Sequence, residues 1–282
     1  MTQKAVLLED RGVVRVAGED SASFLQGVLT NDVEKLKPCE ARYAALLTPQ
    51  GKILFDFLVV SLPAGAFALD CDAGQAADLA KRLGFYKLRA NVTISDDSAD
   101  HGVLAYWGGE PENAPAGIVY ADPRAPGLGR REILPRAKAV AVSEASPAEY
   151  EALRISLGVP KGGVDFAYGD AFPHDADMDL FHGVDFAKGC YVGQEVVSRM
   201  KHRGGARKRV VRVKLDGPAP APGTPVLDGE LPVGTLGASE GSAALAMLRL
   251  DRVEDAKAAG RGFLAGGVGV SVEGSGDEGL GV

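Results

Sequence analysis

Short apolar runs broken by turn residues dominate the early part of the chain, with helical spacing in only a few places. Ala5-Val6-Leu7-Leu8 and Val13-Val14-Arg15-Val16 read as strands joined by Glu9-Asp10-Arg11-Gly12, which predicts a hairpin. Gly18-Glu19-Asp20-Ser21 then offers N-caps to a helix carrying Phe24, Leu25 and Val28. Thr30-Asn31-Asp32 predicts a second, short helix ending near Pro38. Residues 43–47 and 53–60 read as strands around the turn Thr48-Pro49-Gln50-Gly51. Residues 67–69 continue as strand, 73–83 carry apolar positions at helical spacing, and 88–94 return to strand. Helices interleaved with hairpin-like strand pairs give an α+β architecture rather than a parallel doubly wound sheet.

Residues 103–107 and 117–120 predict two more strands, with exposed loops at 108–115 and 122–129. Ser146-Pro147-Ala148-Glu149 predicts a helix start with proline at its first position. Tyr150, Leu153 and Leu157 give that helix an apolar stripe, with Arg154 between stripe positions. Residues 161–177 hold no regular period, and irregular stretches of that kind in a compact chain are more often functional than accidental. Beyond Arg209, residues 210–215, 225–238, 243–250 and 267–272 are short strands between glycines, the pattern of a small β-barrel, and 273–282 reads as a frayed tail.

The composition is that of a soluble globular chain, and 282 residues usually divide into more than one core. A net charge of -7 argues against general nucleic-acid affinity. Cys39, Cys71 and Cys190 lie far apart and form no C-x-x-C or zinc-type pairing, so they read as free thiols in a reducing compartment. No apolar run is long enough to span a bilayer, and the start of the chain shows neither a signal-peptide core nor an Arg-rich presequence. These features lead to the expectation of a cytoplasmic protein with no membrane partner and no metal site of its own.

The chemistry concentrates at Lys188-Gly189-Cys190-Tyr191-Val192-Gly193-Gln194-Glu195. A thiol stands between two glycines, just ahead of Val196, Val197 and Met200, whose spacing predicts a helix; Glu195 and Arg199 are spaced to pair on its other face. A helix beginning near Gly193 or Gln194 turns its free N–H groups and positive dipole end back toward Cys190. Residues 188–209 hold seven cations (Lys188, Arg199, Lys201, Arg203, Arg207, Lys208 and Arg209) against one acid, Glu195. Both features favour a thiolate. A cysteine is also commonly a small buried hydrophobe, so reactive thiol and core packing both stay open on these grounds. None of His101, His174, His182 and His202 sits in a recognisable protease signature, and a stable iron–sulfur cluster normally needs several cysteines. The better-supported role for Cys190 is a reactive thiol that engages a partner or a transient cluster.

The run KGCYVGQEVVSRMKHRG resembles the signature of the YgfZ family, folate-binding proteins related to the T-protein (aminomethyltransferase) of the glycine cleavage system and involved in iron–sulfur protein maintenance. FLQGVLTNDV at 24–33, YAALLTPQGKILFDFLVV at 43–60 and FPHDADMDLFHGVDFAKGCY at 172–191 resemble family segments in family order, and 96–146 is the least diagnostic part. The resemblance implies a multidomain T-protein-like fold. A ferredoxin-like α+β domain would cover 1–100, a second α+β domain with the thiol motif 101–205, and a C-terminal β-barrel 206–282, all around a central channel. It implies tetrahydrofolate in that channel, with Cys190 near its mouth. Lys188, Gln194, Glu195 and Arg199 would act with Cys190, while Asp175, Arg154, Gln26, Asp56 and Tyr191 would bind the folate. Asp175 stands where the T-protein family has a glutamate that holds the pterin ring. Arg154 either faces the folate glutamate tail or pairs with Glu151 or Asp165. The paired aspartates that follow this glycine turn in T-protein are here Phe55-Asp56, a departure that weakens aminomethyl transfer; Asp56 can equally be a strand-end carboxylate facing solvent. Gln26 reads as a cleft-facing amide, Asn31 and Asp32 as caps and turn formers, and Phe24, Leu25, Leu29, Tyr43 and Leu46 as core.

Three functions follow from different classes. The first is a tetrahydrofolate-binding protein that supports assembly or repair of 4Fe–4S proteins, including radical enzymes that modify tRNA, through Cys190. The second is a folate-dependent aminomethyl or methyl transferase. The third is a module whose basic loop, 199–209, docks RNA or an acidic protein.

Overall fold

The computed structural model describes residues 3–109, 116–202 and 206–273. The chain divides into two compact units: Met1–Tyr150 with Met178–Val196, and Glu151–Asp177 with Val197–Val282. In chain order the first elements are β1 (Lys4–Leu7), β2 (Arg11–Ala17), α1 (Ser21–Val28), β3 (Ala41–Leu47), β4 (Ile53–Ser61), β5 (Phe67–Asp72) and α2 (Ala76–Tyr86). They continue with β6 (Thr93–Asp96), β7 (His101–Trp107), β8 (Ile118–Ala121), β9 (Arg130–Pro135), α3 (Arg136–Val142) and α4 (Pro147–Ser156).

In the first unit, β3-β4-β5-β2-β6 form an antiparallel sheet. Strand alternation divides its side chains between two faces. Val14, Leu46, Phe55, Phe57, Leu69 and Cys71 pack with Leu25 and Leu29 of the α1 region and with Leu79 and Leu83 of α2. The opposite face carries Tyr43, Leu58 and Asp70, which are successive cross-strand partners, and also Asp56. A second antiparallel sheet has the order β1-β7-β9-β8.

The predicted hairpin of the first two strands does not form: β1 pairs with β7, whereas β2 lies between β5 and β6. Ala5, Val6, Leu7 and Leu8 are all buried, whereas the second run buries Val13, Val14 and Val16 and exposes Arg15. The helix predicted after Thr30 is also absent; Asp32 Oδ1 accepts the N–H groups of Glu34 and Lys35 and closes a turn there. The strand predicted at 88–94 begins only at Thr93. β9 and α3 escaped the sequence reading, because Arg131 and Glu132 look like surface charges yet are buried. α4 starts as predicted: Ser146 Oγ accepts the Glu149 N–H while Glu149 Oε2 accepts the Ser146 N–H, a reciprocal cap. The predicted loop at 108–115 lies, from 110 onward, outside the described residues.

The elements after α4 are α5 (Gln194–His202), β10 (Lys208–Leu215), β11 (Pro225–Asp228), β12 (Leu231–Glu240), β13 (Ala243–Arg249), α6 (Leu250–Ala258), β14 (Phe263–Ala265) and β15 (Val268–Val272). The second unit contains a closed barrel in the order β10-β13-β12-β11-β14-β15. Val213, Val226, Leu236, Leu248 and Val270 fill it, with Val253 and Ala256 of α6 packed on the same core. The tail at 273–282 lies, from 274 onward, outside the described residues.

Candidate functional site

Cys190 is exposed and unpaired with any other cysteine, so core packing is excluded for it. Its loop is held from three sides within the first unit. On the first side, the buried Lys188 ammonium donates to the carbonyls of Gln26 (2.8 Å), Leu29 (2.6 Å) and Asn31 (2.9 Å). These carbonyls sit at and just past the C-terminal end of α1, where free acceptors and the negative dipole end favour a cation. All three ammonium protons are used. Burial brings the Lys188 pKa down to about 8, against the opposing pull of Asp32, Asp185 and Glu34.

The second side is the segment after α1. Thr30 donates its hydroxyl to the Gly183 carbonyl and accepts the Ala45 N–H, and its own carbonyl accepts the Asp185 N–H. The Asn31 amide donates to the carbonyls of Tyr43 (2.8 Å) and His182 (2.6 Å). Asp185 Oδ1 in turn accepts the N–H groups of Ala187 and Lys188. The Thr30-Asn31 dipeptide thus clamps 182–188 onto β3.

On the third side the β3–β4 turn meets the glycine after the thiol. Gly193 has φ +81°, and a Cβ there would lie 2.5 Å from the Thr48 carbonyl oxygen and 3.0 Å from Gly51 Cα. Gly51 also has φ +81°, and its Cβ would lie 2.9 Å from Val196 Cβ. Only glycine at both positions lets the two backbones meet in these conformations. α5 then begins at Gln194, as predicted, with Val197 buried and Glu195 exposed.

Tyr191 is buried, with the Lys188 ammonium 5.3 Å from its ring centroid, and burial raises its hydroxyl pKa to about 12. The ring thus packs beside the lysine's ammonium as a cation–π partner. Gln26 is half-buried: its Oε1 accepts the Val33 N–H and its backbone carbonyl serves Lys188. Asp56 is 6% exposed and accepts the Tyr43 hydroxyl at 2.9 Å, so it is not a solvent-facing strand end.

Arg199, Asp175 and Arg154 belong to the second unit. Arg154 is buried and engaged with Glu151 (2.5 Å), Asp165 (2.7 Å) and the Val159 carbonyl. Asp165 also accepts the N–H groups of Lys161 and Ala238, which ties the irregular stretch to β12. Arg154 is therefore a scaffold cation, and the sequence reading that paired it with Glu151 and Asp165 is the one that holds. Asp175 is buried, accepts the Phe172 N–H, and stands 3.6 Å from the Lys208 ammonium; burial raises its pKa.

These positions test the fit of a folate. The Arg154 guanidinium is committed to Glu151, Asp165 and the Val159 carbonyl and does not fit as a ligand contact. A buried carboxyl such as Asp175 does suit the N–H edge of an aminopyrimidine.

The sequence reading missed a buried charge cluster between the two sheets of the first unit. Asp70 accepts from Arg11 Nε (2.6 Å), Arg131 Nη1 (2.6 Å) and the Tyr120 hydroxyl (3.0 Å). Asp122 pairs with Arg124 (2.7 Å) and Arg131 (3.2 Å). Burial alone would raise the Asp70 pKa, but Arg11 and Arg131 overcome it and hold the carboxyl below its ordinary value; Arg124 and Arg131 do the same for Asp122. An aspartate inside the apolar strand Phe-Ala-Leu-Asp-Cys was the available signal.

Comparison with known proteins places this architecture. Residues 8–121 match the family described as GCVT N-terminal domain, and 207–276 match CAF17, C-terminal beta-barrel domain. The glycine cleavage system aminomethyltransferase T of Bartonella henselae superposes with TM-score 0.77 over 96% of this chain and 85% of that one, at 20% identity. The class defined is therefore the T-protein-like fold, mixed α and β, closed by a six-stranded C-terminal barrel. Within it, the mouse protein named iron-sulfur cluster assembly factor IBA57, mitochondrial, is 32% identical over 284 residues, 88% of this chain and 78% of that protein. The homolog of the same factor from Mycosarcoma maydis is 36% identical over 228 residues, 74% of this chain, and the chain spans 57% of its length. The chain belongs to the IBA57 family of iron–sulfur cluster assembly factors. That family, rather than YgfZ, is the one these relatives name. The cytoplasmic expectation is overturned, since the matched relatives are named mitochondrial proteins.

Proposed function

We propose that the protein supports iron–sulfur cluster assembly by presenting Cys190 to a partner protein that carries or receives a cluster. The thiol gives up its proton, and its sulfur takes an iron coordination position that solvent or a partner ligand vacates. The observation that carries this reading is an exposed thiol on a loop immobilised by Lys188, Thr30-Asn31 and the Gly51–Gly193 contact. Such immobilisation suits repeated presentation of one ligand in one geometry. The iron–sulfur role named for the mouse and fungal relatives agrees with it. The resemblance to YgfZ proteins extends the proposal to 4Fe–4S clients, among them radical enzymes that modify tRNA, and to tetrahydrofolate as an organising ligand with Asp175 toward its pterin edge. The transferase alternative has less support, because Phe55 lies in the core where T-protein chemistry would place a carboxylate.

The test is reconstitution with purified protein. A cluster-bearing acceptor mixed with the wild-type chain should develop a thiolate-to-iron absorption change that Cys190→Ser abolishes and Cys39→Ser leaves intact. Equal spectra from wild type and Cys190→Ser would refute the thiol step. A folate equilibrium titration with Asp175→Ala, expected to weaken binding at least about tenfold, tests the organising ligand separately.

A further inference from the structure

α2 ends at Tyr86, which packs with Leu83 and Ala90 on the sheet core, and the chain then turns sharply. The Ala90 N–H donates to the Lys87 carbonyl at 2.8 Å, closing a four-residue turn with Leu88 at its corner. Leu88 has φ 42°, a left-handed backbone that a leucine adopts only at a cost. Its side chain is 89% exposed, and Phe85 one turn earlier is 64% exposed. These are the two most exposed large apolar side chains among the described residues. Asn91 fixes the turn from behind: its N–H donates to Asp20 Oδ2, and its carbonyl approaches Gly18.

Charge surrounds this tip. Lys81, Arg82, Lys87 and Arg89 flank the two apolar side chains, and no acid occurs between Asp78 and Asp96 in a chain of net charge -7. Asp20 touches the loop and spends an oxygen on the Asn91 N–H. Two projecting side chains make a wedge far smaller than the roughly 800 Å² that each side of a stable protein interface buries. A bilayer covers such a wedge without needing shape complementarity, and its anionic headgroups meet the cations.

From this tip we infer that the 81–89 segment docks the protein on an anionic lipid surface, Phe85 and Leu88 entering the headgroup boundary while Lys81, Arg82, Lys87 and Arg89 bind lipid phosphates. This is surface attachment; no helix of the described residues is long and apolar enough to cross a membrane. It is independent of the thiol, whose loop is fixed at the other end of α1.

The experiment is co-sedimentation of the full chain with phosphatidylcholine vesicles, with and without about one-third phosphatidylserine. Wild type should pellet with the anionic vesicles and stay in solution with the neutral ones. Phe85→Ser with Leu88→Ser should weaken binding at least about tenfold, and Lys87→Gln and Arg89→Gln about fivefold each, with thermal unfolding unchanged because all four side chains reach solvent. Three results would overturn the inference. Wild type fails to pellet with anionic vesicles. The double serine variant pellets as wild type does. Wild type self-associates without lipid and the double variant does not, which assigns the tip to a second copy of the chain.

Discussion

At the scale of single residues, Lys188 fixes the loop that carries Cys190. Its ammonium replaces water for three carbonyls that would otherwise end α1 unpaired. Lys188→Met should therefore cost about 2–3 kcal/mol in urea unfolding and open the Cys190 loop to proteolysis. Lys188→Arg should not restore it, since a planar fork cannot meet three converging carbonyls; full stability in either variant would contradict the assigned role. The thiols provide a second check. Cys39 and Cys190 are exposed, whereas burial pushes the Cys71 thiol up to about 12. A thiol reagent at pH 8 should titrate two groups rapidly and the third only after unfolding. Cys190 was legible as a candidate because its flanking glycines and basic context lie in one contiguous run. The commitment of Arg154 to Glu151 and Asp165 could be named but not chosen from the sequence, because a sequence does not show which neighbouring acid a buried cation has already met.

At the scale of elements, the site depends on two close backbone approaches. Gly193→Ala would place a methyl group 2.5 Å from the Thr48 carbonyl at a φ that L-residues avoid. We expect a loss of about 2 kcal/mol or more in stability and slower or disordered presentation of the thiol, measured by urea unfolding and by the rate of Cys190 modification. Gly189→Ala meets nothing within 4 Å and serves as the control. Local signals were readable at this scale: the Thr48-Pro49-Gln50-Gly51 turn, the Ser146/Glu149 cap and the start of α5 are each specified by residues within a few positions. The pairing of β1 with β7 was not, because both candidate partners are apolar runs and only the long-range register decides between them. The same limit hid β9, where Arg131 reaches Asp70 on the other sheet and Glu132 accepts the Tyr106 hydroxyl of β7.

At the scale of the whole chain, the buried cluster of Arg11, Asp70, Arg131, Asp122 and Arg124 sets the response to acid. The folded pKa values of Asp70 and Asp122 lie below the unfolded value. The stability they contribute is therefore present above about pH 4 and lost as pH falls through the folded values below it. Asp70→Asn should lose about 3 kcal/mol at neutral pH and flatten the acid limb of the stability curve; an unchanged limb would show that the cluster is not coupled to folding. The T-protein-like fold was legible through the thiol motif and the short strands of the barrel, whereas the family the motif suggested, YgfZ, is not the one the relatives name. The location was not, because composition says little about the compartment to which a chain is delivered.

The central claim is that an immobilised, exposed Cys190 serves iron–sulfur assembly. Its most direct test is the activity of a 4Fe–4S enzyme in cells lacking this gene, complemented with wild type or with Cys190→Ser at matched expression. The claim requires rescue by wild type and loss of rescue with Cys190→Ser, while Cys39→Ser rescues fully. Equal rescue by Cys190→Ser would contradict it and remove the thiol from the function.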